Sequence, residues 1–381
     1  MKLLHIITGL GDGGAEAVLY RLVTHDPEDT HHVIALTGEG KYGPLLQQAG
    51  VRVTALDMPR GRVTWRGLRR LWQAMRTQRP DVVQTWMYHA DLLGGVMGRL
   101  AGVPVVWGLR NTTLERGVSA RSTIAVAQLC SVLSRILPQR IVACADAAVR
   151  VHGDMGYDIS RMVVIPNGYD LTRFAPDAVA RQRLRLTWSV PDEVPLIGMV
   201  ARFDPQKDHA NLIAALGRVR EGGWCFQAVL VGSGVTPENR DLAERLAAAG
   251  LEEWVKLLGP TQDVPAVMNA LDMHVLSSKA EAFPNVLAEA MACGTPCVTT
   301  DVGDAARIVG NTGWVVPSRN PQALADAIQQ ALRAWQDQSH WVERQAACRL
   351  RITEAFSIGA MAHRYREVWQ AVLPGRHDEH N

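Results

Sequence analysis

The chain has 381 residues, 47% hydrophobic and 20% charged, with a formal net charge of +2. This suits a globular protein long enough for two ordinary domains, and is too apolar and too balanced in charge for a disordered chain. The apolar stretch 122–134 stops at Arg135, short of the roughly 20 residues a spanning helix needs, and six cysteines without a CxxC–histidine pattern argue against a disulfide scaffold or a structural zinc site.

The opening run meets Asp12 and a glycine cluster too early for a signal peptide, so the cytoplasm is the expected compartment. From there short apolar runs alternate with helical patterns. Strands are expected at 3–8, 31–37, 52–56, 81–86, 103–108, 140–145 and 162–166, with helices such as 15–24 and 65–78 between them. A second series follows, with strands at 195–201, 226–232, 254–259, 273–278, 296–300 and 313–317. Helices at 208–220, 237–249, 285–293 and 321–335 intervene, and an amphipathic helix closes the chain at 357–372. Strands rich in Val, Ile and Leu alternating with helices mean parallel sheets covered on both faces. The fold class is therefore α/β, with two Rossmann-like domains facing each other across a cleft. The boundary is expected near 175–193, where Pro176 and Pro191 bracket an Arg-rich stretch. Ligands of such sheets bind outside the carboxyl ends of the strands.

Charge is unevenly spread. Residues 1–185 carry 23 Lys/Arg against 15 Asp/Glu, and the remainder 17 against 23. A basic first half suits an anionic partner such as a phosphate or a membrane surface. Nucleic-acid binding has no supporting motif.

Three motifs follow strands. Gly9, Gly11 and Gly14 fit G-x-G-x-x-G after the first strand, with Glu39 past the second. That is the dinucleotide-binding pattern, but Gly13 and Gly14 equally allow a sugar or diphosphate close to the backbone, or a plain tight turn. Arg202 and Lys207 follow strand 195–201, and two cations there can hold a diphosphate without metal. The bland alternative is a solvated loop. In the run 277–296 a strand ends near Ser278, Asn285 can cap a helix, and Gly294 with Pro296 stops it. Glu281 then precedes the helix and Glu289 lies about one turn inside it. The helix start between them is a natural diphosphate site, and two carboxylates suit sugar hydroxyls. Surface glutamates are the structural alternative.

Glu281 and Glu289, within EAFPNVLAEAMACGTPCV, resemble the E-x7-E motif of retaining family-4 glycosyltransferases. The GGAE element (Gly13 to Glu16), I-P-N-G-x-D-x-x-x-F (Ile165 to Phe174), R-F-x-x-x-K (Arg202, Lys207) and V-G-S-G (Val231 to Gly234) match in family order, from residue 1 to about 372. The resemblance implies the GT-B fold. It implies an acceptor-binding domain at 1–178 with a returning segment 355–375, and a nucleotide-sugar domain at 190–354. It further implies that Glu289 holds the ribose hydroxyls, that Glu281 contacts the donor sugar, and that Arg202 and Lys207 hold the diphosphate. Phe283, Asn285, Val286 and Gly234 would line the donor site. No metal or other cofactor is expected. Partners are a nucleotide sugar and a glycan or lipid-linked acceptor, most simply in bacterial cell-surface polysaccharide, lipopolysaccharide or exopolysaccharide synthesis.

The sequence departs from the family pattern in places. The histidine often found after the strand at 103–108 is missing, so that polar role passes to Arg110 or His89. V-G-G-x-x-E reads Val302-Gly303-Asp304-Ala305-Ala306-Arg307, and Pro284 removes an amide near the helix start. His89 opens a helix after strand 81–86 and could orient the acceptor, or simply bond backbone. The stretch 60–76, which enters the expected helix 65–78, has one apolar and one basic face. Its expected role is packing through Trp65, Leu68, Trp72 and Met75, with peripheral contact at the membrane inner face left open. Two rival functions are a sugar-nucleotide epimerase on the same architecture and a non-catalytic sugar-nucleotide-binding subunit.

Overall fold

The computed structural model describes residues 1–111 and 120–374. The chain divides into two units, Met1–Gly168 with Ile358–Asn381, and Tyr169–Ser357. Residue 375, the last of the expected returning segment, lies outside the described residues.

The first unit alternates strand and helix. β1 (Lys2–Ile7), α1 (Gly14–His25), β2 (Thr30–Ala35), α2 (Tyr42–Gln48), β3 (Arg52–Ala55), α3 (Trp65–Gln78) and β4 (Val82–Trp86) come first. They are followed by α4 (Tyr88–Leu100), β5 (Val105–Leu109), α5 (Arg121–Leu133), β6 (Arg140–Ala143), α6 (Asp146–Asp154) and β7 (Met162–Val164). The strands form one parallel sheet in the order β3-β2-β1-β4-β5-β6-β7. Strands β4 and β5 are buried throughout, as a parallel strand covered on both faces must be. One core holds α3, α4 and α5 against the sheet.

In the second unit, α7 (Ala178–Thr187) leads into β8 (Leu196–Val200), α8 (His209–Glu221), β9 (Gln227–Val231), α9 (Arg240–Ala248), β10 (Val255–Leu257) and α10 (Val264–Ala270). Then come β11 (Met273–Leu276), α11 (Asn285–Ala292), β12 (Cys297–Thr300), α12 (Ala305–Val309), β13 (Trp314–Val316), α13 (Pro321–Gln336) and α14 (Gln338–Ala355). Its parallel sheet runs β10-β9-β8-β11-β12-β13. In both sheets the order in which the chain adds strands reverses at one place, between β1 and β4 in the first unit and between β8 and β11 in the second. The crevice at such a switch point is where open α/β sheets take ligands.

Residues 178–190 are not a linker. Asp177 caps α7 by accepting from the Val179 and Ala180 amides at 3.0 and 2.9 Å. Arg181 and Arg185 then reach Asp272 at 2.8 and 3.0 Å, and Asp272 also accepts the Leu196 amide at 2.7 Å. Arg185 is almost fully buried, which a guanidinium tolerates only when paired. The Arg-rich composition that looks like a boundary is an ion-pair network inside the second unit, and the chain crosses at Gly168 instead.

The closing helix α15 (Ile358–Ala371) belongs to the first unit. Ile358, Met361, Tyr365 and Trp369, spaced three or four apart, are buried in the core formed by α1 and the sheet. Trp369 donates to Gln84 Oε1 at 2.9 Å, and its ring meets Tyr365 at 5.4 Å. Arg366 pairs with Asp26, and with Glu28 at 2.8 Å.

Helix α3 differs from expectation. It rests on Gly67, Leu71 and Met75, while Leu68 and Trp72 are half-buried. Trp65 is 81% exposed. A Cβ at Gly67 would come within 2.4 Å of the Met58 sulfur, so the helix sits down at Gly67 and turns Trp65 outward.

Candidate active site

The second unit gathers four loops at the carboxyl ends of its strands. Ser277 Oγ, past β11, donates to the Lys207 carbonyl at 2.9 Å, and the Lys279 amide to the Gln206 carbonyl at 2.7 Å. Phe203 N donates to the Ser233 carbonyl at 2.8 Å, and Asp304 N to the Ala282 carbonyl at 3.1 Å. Two glycines permit this closeness. A Cβ at Gly232 would meet the Ala201 carbonyl at 2.0 Å, and one at Gly303 the Glu281 and Ala282 carbonyls at 2.4 Å. Gly234, with φ +76°, lies against Phe203 in the same cluster.

Lys207 and Glu281 form an ion pair across the switch point, from the loops after β8 and β11. Both side chains are mostly buried. The same Glu281 oxygen accepts from Ser278 Oγ at 2.7 Å. Arg202 is 59% exposed, and its Nε bonds Asp204 at 3.1 Å. Burial alone would raise the Asp204 pKa; the Gln206 amide and the Arg202 guanidinium outweigh it and hold the carboxyl below its usual range. Asp204 also starts the 3-10 turn Pro205–Lys207, which sets Lys207 in place.

Helix α11 begins at Asn285, one position earlier than a capping role for Asn285 requires. Pro284 is the N-cap and supplies no side-chain bond; Asn285 Oδ1 instead accepts from the Tyr169 hydroxyl at 2.6 Å. Val286 and Glu289 are half-buried on this helix. Glu289 stands four residues past Asn285, one turn further along the same face. Phe283 faces inward, 5.8 Å from Phe356, so it presents its backbone to the site and not its ring.

In the first unit a cavity of about 890 Å³ occupies the corresponding switch point. Its lining includes Gly9, Gly11 and Glu16 after β1, Thr37 after β2, and His89 after β4. Gly13 is the N-cap of α1 and Gly14 its first residue, adjoining Ala15 and Glu16 at the cavity wall. Helices α1 and α4 start there without side-chain caps, as α11 does in the second unit. The positive end of each helix favours a polar or anionic ligand. Burial lowers the His89 pKa, so its imidazole is neutral at pH 7. Burial raises that of Glu16, helped by nearby Asp12 and opposed by a bond to its own backbone. Arg110 stands apart from the cavity lining. It donates to Asn167 Oδ1 at 2.8 Å and lies 4.8 Å from the Trp86 ring centre. Burial lowers its pKa to about 10, which leaves it charged.

Sequence reasoning missed Ser278 and Asp91. Ser278 sits three residues before Glu281, a spacing that a turn brings within reach. Asp91, fully buried in the first turn of α4, accepts from Thr85 Oγ1 at 2.5 Å and from Gly108 N at 3.4 Å. Burial pushes its pKa up to about 7 against those two bonds. It pins the turn in which Met87 is held at φ +75° and His89 is presented. Only its helix-start position marked it in the sequence.

Comparison with known proteins agrees with this arrangement. Residues 12–173 match the family model described as Glycosyltransferase Family 4, and residues 194–334 the model described as Glycosyl transferases group 1. The chain belongs to the family-4-type GT-B glycosyltransferases. The chain shares 29% identity with EpsF of Bacillus subtilis (strain 168), over 79% of each chain. It shares 24% with the UDP-Gal:alpha-D-GlcNAc-diphosphoundecaprenol alpha-1,3-galactosyltransferase of Escherichia coli, over 68% of each. Its fold matches HepE of Anabaena in complex with UDP-glucose at a TM-score of 0.83, with 22% identity, over 97% of this chain and 100% of that one. The dinucleotide reading of Gly9, Gly11 and Gly14 gives way to this assignment.

Proposed function

We propose that this glycosyltransferase moves a hexose from a uridine diphosphate sugar to a hydroxyl of a glycan or lipid-linked acceptor, with retention at the anomeric carbon and without a bound metal. The observation that carries the reading is the Lys207–Glu281 pair at the second switch point, beside Arg202 and the start of α11. Arg202 and Lys207 oppose the charge that grows on the departing diphosphate. The C1–phosphate bond breaks while the acceptor oxygen bonds C1 on the same face, and the acceptor proton passes to the departing phosphate oxygen. Glu281 faces the sugar and Glu289 the ribose hydroxyls. The first unit's cavity, with neutral His89 and uncapped α1 and α4, takes the acceptor.

The HepE complexes with UDP and UDP-glucose support uridine as the base. The diphosphoundecaprenol acceptor named for the Escherichia coli relative supports a lipid-linked glycan in cell-surface polysaccharide or lipopolysaccharide synthesis. That chemistry suits a cytoplasmic enzyme held peripherally at the membrane. The test is a thermal-shift screen of UDP- and GDP-sugars, followed by transfer with the best donor and NMR of the product anomer. A midpoint rise with a UDP-sugar and a product keeping the donor's anomeric configuration are expected. Inversion, or epimerised donor formed without acceptor, would reject the reading.

A further inference from the structure

We propose that the start of α3 and the outer side of α5 form a face that docks this enzyme on an anionic phospholipid bilayer, with the adjoining cavity receiving the head of an acceptor carried in that bilayer. The second half of the proposal rests on the acceptor role given to the cavity above.

Trp65 and Val63 are 81% and 54% exposed, although burying such apolar side chains would ordinarily stabilise the fold. Thr64 accepts the Gly67 amide at 3.2 Å and caps α3, so Trp65 is held outward by a formed helix turn and is not simply loose. Half-buried Leu68 and Trp72 extend the apolar stripe along the helix.

On α5, Val126 lines the cavity while Leu129 and Val132 are 47% and 67% exposed. Steps of three residues move about 60° around a helix, so this apolar strip passes from the cavity wall to solvent. Helices α3 and α5 flank α4 on one face of the sheet, and residues 60–63 and 122–126 both contribute to the cavity lining.

Charge selects the partner. Residues 58–80 contain seven arginines and no Asp or Glu. Among the described residues none of these arginines is in an ion pair. Exposed Trp and aliphatic side chains ringed by unpaired arginines match the boundary between acyl chains and anionic headgroups.

The full chain should float with vesicles of phosphatidylethanolamine and phosphatidylglycerol at low ionic strength, and not with phosphatidylcholine alone. Arg66, Arg69 and Arg70 lie outside the cavity lining. The triple variant R66Q/R69Q/R70Q should lower the partition coefficient about a hundredfold, roughly fivefold per arginine. Trp65→Ser should lower it several-fold with an unchanged Tm. Wild-type protein that stays off anionic vesicles, or variants that bind like wild type, would overturn the proposal. Binding to polyglutamate as strong as to vesicles and indifferent to Trp65 would assign the face to an acidic protein and equally overturn it. Thermal shift with UDP on the same samples reads the second unit separately. Vesicle binding by a protein that no nucleotide shifts would support the docking face while rejecting the donor reading.

Discussion

Lys207 and Glu281 neutralise each other before any donor arrives, and this changes what their substitution should do. In the proposed reaction Lys207→Ala removes a cation that opposes the leaving group's charge, so turnover should fall about 100-fold or more. Glu281→Gln should also lose most turnover, because a carboxylate near the anomeric carbon stabilises developing positive charge. Yet the same change frees Lys207 for phosphate, so calorimetry should find UDP binding as tightly as in wild type or a few-fold tighter. Weaker UDP binding in Glu281→Gln would contradict the pairing. Two buried histidines beneath the site make a separate prediction. Burial first, with Lys207's charge adding to it, holds His274 down to about 3. Burial likewise holds His209 down to about 4, with Asp208 and Asp204 opposing and Lys207 adding. In the unfolded chain both titrate near 6.5. Between those values the unfolded state binds more protons, so stability is complete above about pH 6.5 and falls as the pH drops toward 4. Each group contributes up to about 1.4 kcal/mol per pH unit in that window. Tm should decline steadily from pH 7 to pH 5; a flat profile would mean that these histidines are not held neutral.

At the scale of elements, α15 and the loop at Gly303 separate stability from function. Trp369 is fully buried and satisfies Gln84, so Trp369→Ala leaves both a cavity and an unpaired amide. A loss of about 3–5 kcal/mol is expected by denaturant unfolding. A cost below about 1 kcal/mol would mean that α15 does not complete the first core. Gly303 acts differently. With φ +58° and the Glu281 and Ala282 carbonyls 2.4 Å from where a Cβ would stand, Gly303→Ala must displace the turn that carries Glu281. Donor KM should rise and kcat fall by more than the accompanying change in Tm accounts for. This explains how the family's V-G-G pattern tolerates Asp304 here, since the constrained glycine is Gly303. Asp304 is buried and pairs with Arg307 at 3.3 Å.

For the whole molecule, the first half of the chain carries the basic excess and the second half the acidic excess. The cations proposed to meet the leaving group, Arg202 and Lys207, are side chains of the second unit. Transfer should therefore survive EDTA with less than about twofold loss, as measured by product formation with dialysed enzyme. A strict requirement for added Mg²⁺ or Mn²⁺ would remove the proposed role of those two residues as the leaving group's counter-charge.

Each of the thirteen expected strands overlaps an observed one, because the central parallel strands are buried on both faces and must be written as short apolar runs, while the less buried β3, β7 and β13 keep a shorter version of the same run. The positions of Arg202, Lys207 and Glu281 after strands were legible for the same reason. The contact between Lys207 and Glu281 was not, since it depends on β11 lying beside β8 in the sheet, a long-range pairing that local pattern does not encode. Burial of Phe283 against Phe356, the inward ion pairs of Arg181 and Arg185, and the exposure of Trp65 likewise depended on which neighbour each side chain met. Apolar spacing along α3 is compatible with burying Trp65 or Gly67. Only the close approach of Gly67 to Met58 decided between them, and that approach exists only once the helix has packed on its sheet.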